Sequence, residues 1–353
     1  MFRIDGKFIE SKRWGGGNVN DTFLTIFRNK GAEKLYIHQR INQLVFSDPE
    51  GLMENVCRVT DHLTAKANGC RSLRLIDTPD GKRFARDAAG NIWRAYEYME
   101  NAQSPDYAQD LTQAYEAAKA FGAFQRDLID LPDPPLAETI PEFHHTRKRF
   151  DRFVKTVEDD SCGRVKEAEA EIPLIRERRA LAEWFEGLQT NGKLPRRVVH
   201  NDTKINNVMI DSVTGKAVCV VDLDTVMPGL AASDFGDLAR SAAASAVEDE
   251  RDLSKMFFRL DVFDALTQGY FASASSFLTT AEIDSLPMAP MALTMELAMR
   301  FLTDFLEGDV YFKTSRLGHN LDRARAQLKL LSSMENQESK IRRIVEHHAA
   351  IPV

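Results

Sequence analysis

The hydrophobic period of this chain changes near residue 100, and few architectures accommodate that change. Up to about residue 99 the apolar runs are short and β-like, at 35–41, 73–76, 82–85 and 92–99. Between the first two, residues 49–67 carry Leu52, Met53, Val56, Val59 and Leu63 at helical spacing, so one helix interrupts the strands. After Ser104-Pro105 the period becomes helical across 107–128, 138–157, 167–188 and from 253 onward. Thr279-Thr280-Ala281-Glu282 has the form of a capping box opening a helix that Pro287 and Pro290 should break or kink, and 320–348 reads as a closing helix. The expected fold is α+β and two-lobed: a small antiparallel sheet with one helix in residues 1–99, then a larger, mostly helical part in residues 100–353. The boundary is expected between 98 and 104.

At 353 residues, such a chain can bury a large core. Lys and Arg total 46 against 53 Asp and Glu, a net charge of −7, so no overall basic field awaits a nucleic-acid backbone. Cys57, Cys70, Cys162 and Cys219 are far apart and form no C-x-x-C pair, which fits reduced thiols better than disulfides or a zinc cage. No stretch approaches the ~18 apolar residues of a membrane span, and the start has no apolar leader segment. Neither nucleic acid nor membrane is an expected partner, and the expected location is the cytoplasm.

The chemistry is concentrated between His200 and Asp224. In residues 198–208 an apolar run leads into His200-Asn201-Asp202, and Asn207 follows five residues after the Asp. Phosphoryl transfer needs these two types on one tight loop, an Asp to take the proton of the attacking hydroxyl and an Asn to hold Mg²⁺ against the phosphates. A polar turn would also use Asn and Asp to satisfy backbone groups. The next segment, 217–224, favours the chemical reading, because it is a buried-type strand ending in Asp222 and Asp224. Asp222 is the natural metal ligand, and Asp224, two residues on and on the same face, is a candidate second ligand. The Gly215 turn suggests a hairpin that brings Asn207 and Asp222 together. Asp234-Phe235-Gly236 resembles the metal tripeptide of protein kinases but follows no strand; Asp234 reads as a helix cap or a brace for the catalytic loop.

Between the first two expected strands lies a glycine-rich turn, Gly15, Gly16, Gly17 and Asn18, where backbone N–H groups could approach phosphates. Three glycines also suit a plain hairpin turn. The chain lacks the G-x-x-x-x-G-K-[ST] of a P-loop and any G-x-G-x-x-G opening a helix.

With these parts in this order, the chain resembles the aminoglycoside phosphotransferase and choline kinase family, which has a two-lobed protein-kinase-like fold. The likeness runs from about Gly15 to the closing helix. Within the family it is similar to the branch acting on N-acetylhexosamines, through 36–42, 200–211, 221–229, 234–237, 248–255, Met299-Arg300-Phe301-Leu302 and 307–312. The resemblance implies ATP and Mg²⁺ as cofactors, and transfer of the γ-phosphoryl to the anomeric hydroxyl of a sugar substrate, GlcNAc or GalNAc. It also implies Asp202 as base at the substrate, Asn207 and Asp222 on the metal, and Arg300 and Tyr311 on the sugar. Arg300 could instead pair with Asp304 or Glu307 at a helix end. Adenine would dock along the connection at Glu97, Tyr98 and Met99. The sequence departs from the family at Gln39, which occupies the position of the usual phosphate-binding Lys; Arg40 next to it points to the other face. Glu54 is either the helix partner of that position or a solvated residue. The same residues would serve a kinase for choline, homoserine, methylthioribose or an aminoglycoside, or a nucleotide-binding module that has lost the reaction.

Overall fold

The computed structural model describes residues 1–15, 19–66, 72–105, 107–190 and 192–351. Its first part is an antiparallel sheet of β1 (Lys7–Arg13), β2 (Asp21–Asn29), β3 (Ala32–Arg40), β4 (Ala85–Arg86) and β5 (Ile92–Glu97), ordered β1-β2-β3-β5-β4. The single helix α1 (Pro49–Lys66) crosses from β3 towards β5 and buries Leu52, Met53, Val56 and Val59, four of the five residues whose spacing predicts it. After β6 (Ala102–Gln103) the chain is helical, with α2 (Leu111–Asp127), α3 (Thr146–Asp159), α4 (Glu171–Glu177) and α5 (Arg179–Thr190). A set of short strands follows, β7 (Arg197–Val199), β8 (Val208–Asp211), β9 (Ala217–Val220) and β10 (Met227–Gly229), then α6 (Ala231–Ala242). The remainder comprises α7 (Leu260–Ala274), α8 (Thr280–Ser285), α9 (Ala289–Leu306), α10 (His319–Glu335) and α11 (Glu338–Ala349). The α+β class is as expected.

Two apolar cores follow from this order. The larger joins α2, α3 and α6 to α11, with Phe121, Phe153, Phe235, Phe263, Tyr270 and Phe301 buried in it. The smaller is shared across the expected boundary: Leu52, Met53 and Val56 of α1 pack with Phe124 and Leu128, and with Leu223 and Val226 beyond β9. Buried Asn55 fastens that contact, donating to the Ala137 and Val226 carbonyls at 2.8 and 3.2 Å and accepting from the Ala137 N–H at 3.0 Å. The helix of the sheet is thereby anchored to the backbone three residues beyond Leu223.

Several expected elements differ. Residues 73–76 form only an isolated bridge, Leu75 to Tyr96, and 82–84 form no strand. A turn at 78–82, closed by Thr78 N–H to the Lys82 carbonyl, splits what would have been one edge strand beside β5. Residues 138–145 are not helical and α3 begins at Thr146, after Pro141. The stretch 167–188 breaks into α4 and α5 at Arg178, and 320–348 breaks into α10 and α11 at the polar run Asn336-Gln337. Pro287 lies in the break between α8 and α9 as expected, whereas Pro290 sits in the first turn of α9, where its missing N–H costs nothing, and the capping box at Thr279 and Glu282 is formed. No helix of the described residues is long and apolar enough to cross a membrane.

Candidate active site

Asp202 stands on a loop held from four sides. Its residues 200 and 201 donate their backbone N–H groups to the two oxygens of Asp234 at 2.8 and 2.7 Å, so the reading of Asp234 as a brace agrees with the geometry. Asp234 is buried, and burial pushes its carboxyl above the ordinary range against these hydrogen bonds. Thr203 donates to the Asp234 carbonyl at 2.5 Å, and Thr225 donates to the His200 carbonyl at 2.7 Å. His200 is wholly buried against Phe121 and Phe124; its Nδ1 accepts from Asp202 N–H, which leaves Nε2–H to donate to the Val221 carbonyl at 2.9 Å. His200 therefore pins the loop to the residue before Asp222.

The hairpin at Gly215 forms as the spacing suggests. Val208 pairs with Val220, and Val221 N–H donates to the Asn207 carbonyl at 2.9 Å, which places Asn207 beside Asp222. Asn207 Nδ2 donates to the Asp202 carbonyl at 2.7 Å and to its carboxylate at 3.1 Å. Asn207 Oδ1 has no hydrogen-bond donor among the described residues. Lys204 Nζ lies 3.0 Å from the other Asp202 oxygen. Removal from water opposes ionisation of Asp202, but the Lys204 ammonium and the Asn207 amide hold its carboxyl below the ordinary value. Asn201 and Asp222 both adopt left-handed backbone, φ 64° and 60°, a conformation non-glycine residues occupy at a cost of about 1–3 kcal/mol. The strain flanks the two places where chain direction sets a functional carboxylate.

The Asp222 carboxylate has no hydrogen bond or ion pair among the described residues. It opens to the cleft, where withdrawal from bulk water and repulsion from Asp224 and Asp202 push its pKa up to about 6. An open carboxylate and a free amide oxygen are hard donors of the kind Mg²⁺ accepts when substrate phosphates complete its shell. Among the described residues no three His, Cys, Asp or Glu side chains converge into a closed metal cage. The residues present fit an ion shared with a phosphate ligand.

Asp224 is placed differently from Asp222. It is buried, one oxygen is ion-paired to Arg94, and the other accepts from Asn20 Nδ2 at 2.6 Å. With both oxygens engaged by the protein, it is a tie between β5 and the chain entering β2, and this geometry does not present it as a second open ligand. Arg94 also donates Nε–H to Gln39 Oε1 at 2.9 Å, and Gln39 donates to Thr22 at 3.1 Å. Asn20 in turn accepts from Asn42 N–H at 3.0 Å. Glu54 is exposed and takes no part. Sequence reasoning passed over Arg94, Asn20 and Lys204; the lysine two residues after Asp202 was a visible signal, while the other two emerge only from strand pairing.

The nucleotide positions are partly described. Gly16, Gly17 and Asn18 lie outside the described residues. Gly15 has φ +72° with open space where a side chain would be, and Trp14 meets Tyr98 edge-on at 6.1 Å, at the 97–99 connection. There, Glu97 and Tyr98 N–H are taken by the carbonyls of Arg74 and Leu35, while Met99 N–H has no partner among the described residues.

Arg300 and Tyr311 do come together. The Arg300 guanidinium stacks over the rings of Tyr311, Phe312 and Phe143 at 5.7, 5.5 and 5.6 Å, in a pocket also lined by Arg149 and Arg152. It pairs with neither Asp304 nor Glu307. Asp304 instead accepts the backbone N–H groups of Val310, Tyr311 and Phe312, fixing their loop, and Glu307 accepts from Arg152. Arg300 and Arg149 share Glu296 at 4.0 and 3.7 Å. Although burial opposes it, His144 with these two arginines brings Glu296 down to about 2, so it is ionised. Among the described residues no hydrogen bond or ion pair joins this pocket directly to Asp202, Asn207 or Asp222.

Comparison with known proteins identifies the fold and the family. Among solved structures, the chain is similar to a microcompartment-associated aminopropanol kinase, at TM-score 0.66 and 16% identity over 94% of this chain and 93% of that one. An aminoglycoside phosphotransferase from Alicyclobacillus acidocaldarius gives 0.61 and 13%, covering 95% and 92%. An amicoumacin kinase in complex with AMP-PNP, Ca²⁺ and Ami gives 0.59 and 14%, covering 92% and 90%. These likenesses show the kinase-like fold. Residues 16–267 match the family model described as the phosphotransferase enzyme family, and the chain therefore belongs to that aminoglycoside phosphotransferase and choline kinase-like family.

Proposed function

We propose that this phosphotransferase is an N-acetylhexosamine 1-kinase, which transfers the γ-phosphoryl of ATP to the anomeric hydroxyl of GlcNAc or GalNAc. The observation that carries phosphoryl transfer is the meeting of Asp202, Asn207 and Asp222 across the hairpin, with Asp202 polarised by Lys204 and the other two left open. Asn207 and Asp222 would hold Mg²⁺, which neutralises charge on the phosphates when bound. Asp202 accepts a hydrogen bond from the sugar hydroxyl and aims its oxygen at the γ-phosphorus. The new O–P bond forms as the bond to the β–γ bridging oxygen breaks; ADP leaves and the proton passes to the Asp202 carboxylate. A carboxylate held below its ordinary pKa is a weak base. That suits a loose transition state, in which the hydroxyl loses its proton late and positioning matters most. The connection at Glu97 to Met99 would take the adenine, with the glycine turn from Gly15 to Asn18 over the phosphates.

The acceptor class rests on Arg300 and Tyr311. Their pocket sets three guanidinium groups against Asp304, Glu307 and Glu296, so it keeps no surplus of negative charge for a quaternary amine or a polycation, while the fork of Arg300 and the Tyr311 hydroxyl suit the oxygens and acetamido group of a neutral sugar. Mg²⁺-dependent ADP release should be screened with hexosamines, hexoses, choline and aminoglycosides. Turnover on N-acetylhexosamines is expected. A preference for choline or an aminoglycoside overturns the acceptor assignment, and no ADP release with any acceptor overturns the kinase reading.

A further inference from the structure

Kinase-like folds place a fixed positive charge on β3, where a lysine pairs with the nucleotide phosphates. Here that position is Gln39, which is neutral. The strand register puts Arg94 of β5 directly opposite Gln39, and antiparallel partners project from the same face of a sheet. Arg94 is 1% exposed, and it is the largest side chain among those fully buried. Buried arginines are rare unless their charge is matched and their donors are used. Its Nε is used by Gln39 and its Nη1 by Asp224, and the ring of Tyr96 lies 5.4 Å from the guanidinium. Its Nη2 has no partner among the described residues. Asp224 is two residues from the open Asp222, and Asn20, on the other Asp224 oxygen, lies just past the glycine turn. One guanidinium thus sits where β3, β5, Asn20 and the carboxylate of Asp224 meet, two residues from Asp222.

We propose that Arg94 supplies from β5 the fixed positive charge that the nucleotide phosphates require, in place of the absent β3 lysine. Gln39 orients it by accepting its Nε–H, and Asp224 anchors it without being a metal ligand. Resting on the kinase reading above, this adds a residue which that reading does not contain.

Binding of ADP and of adenosine, measured by calorimetry in EDTA, separates phosphate recognition from adenine recognition and removes any metal contribution. In the double variant Arg94→Met with Asp224→Asn, which deletes the ion pair without leaving a lone buried charge, ADP affinity should fall on the order of tenfold to a hundredfold while adenosine affinity holds. Adding Gln39→Lys to that double variant should restore most of the ADP affinity. An ADP to adenosine ratio within about twofold of wild type in the folded double variant overturns the proposal. Gln39→Lys alone decides the matter if the double variant does not fold. With Arg94 already charging the site, ADP affinity should not rise, whereas a gain of about tenfold would show that the phosphates lack a cation and would overturn it. If wild-type protein binds adenosine and ADP equally well, the Arg94 proposal fails while a nucleotide site stands; if it binds neither, both fail.

Discussion

The catalytic cleft and the arginine pocket solve opposite electrostatic problems. At the cleft, three carboxylates crowd together and the chain engages two of them: Asp224 is saturated by Arg94 and Asn20 and Asp202 is held by Lys204 and Asn207, whereas the Asp222 carboxylate has no partner among the described residues. In the pocket, three arginines crowd together, Glu307 takes Arg152, and Arg149 and Arg300 are left sharing one carboxylate at long range. The cleft thus keeps one unmatched carboxylate, whereas the pocket sets its three arginines against Glu296, Asp304 and Glu307 and leaves Arg149 and Arg300 with long-range pairs only. The contrast shows how to separate scaffold from site. Asp234 and Asp304, whose oxygens are taken by backbone and side-chain donors, build the loops, and the unpartnered carboxylate of Asp222 points to what binds.

The largest effect expected on the cleft side is that of Asp202→Asn, which should lower kcat by on the order of 10² to 10⁴ with little change in ADP affinity. Near-normal turnover would remove Asp202 from its role. On the pocket side, Arg300→Ala should raise KM for the sugar by roughly tenfold or more while leaving KM for ATP in place. A shift confined to ATP would move Arg300 out of the acceptor site and collapse the contrast between the two regions. Replacing a scaffold carboxylate should act on stability rather than on one substrate: Asp234→Ala strands two buried N–H groups and should cost about 1–3 kcal/mol, read as a lower denaturant midpoint.

The smallest effect concerns pH. Folding raises Asp222 from the ordinary 3.8 to about 6, so the folded protein holds this proton more tightly than the unfolded chain. Its contribution favours the fold below about pH 4 and is lost as pH rises through about 6, when the charge is forced into the cleft. Metal-free protein should therefore lose stability across that window relative to Asp222→Asn, and Mg²⁺ with ADP should reverse the difference. Parallel melting curves for the two proteins across pH 4 to 7 would show that Asp222 is not held as described.

Local patterns in the chain reported what local physics determines. The five-residue interval from Asp202 to Asn207, the strand ending at Asp222 and the turn at Gly215 are contiguous, and a hairpin needs little more than its own residues to form. The single helix of the sheet was likewise legible from its apolar stripe. What escaped depends on pairings distant in sequence. Arg94 and Gln39 are 55 positions apart and meet only once the β3 to β5 register is set, and Asn20 reaches Asp224 across 204. That register also tied up Asp224, which a strand-face argument alone had grouped with Asp222. The split closing helix at Asn336 escaped for a related reason. No glycine or proline marks it, and the break is set by tertiary contacts, with Gln337 donating to the Phe258 carbonyl at 3.1 Å.

The central claim is that Asn207 and Asp222, and not Asp224, face the metal beside Asp202. Anomalous scattering from crystals grown with Mn²⁺ and AMP-PNP tests it directly. The account predicts a single strong peak bridging Asn207, Asp222 and the phosphates, with Asp224 still paired to Arg94; a peak coordinated by Asp224, or one away from this hairpin, would contradict it.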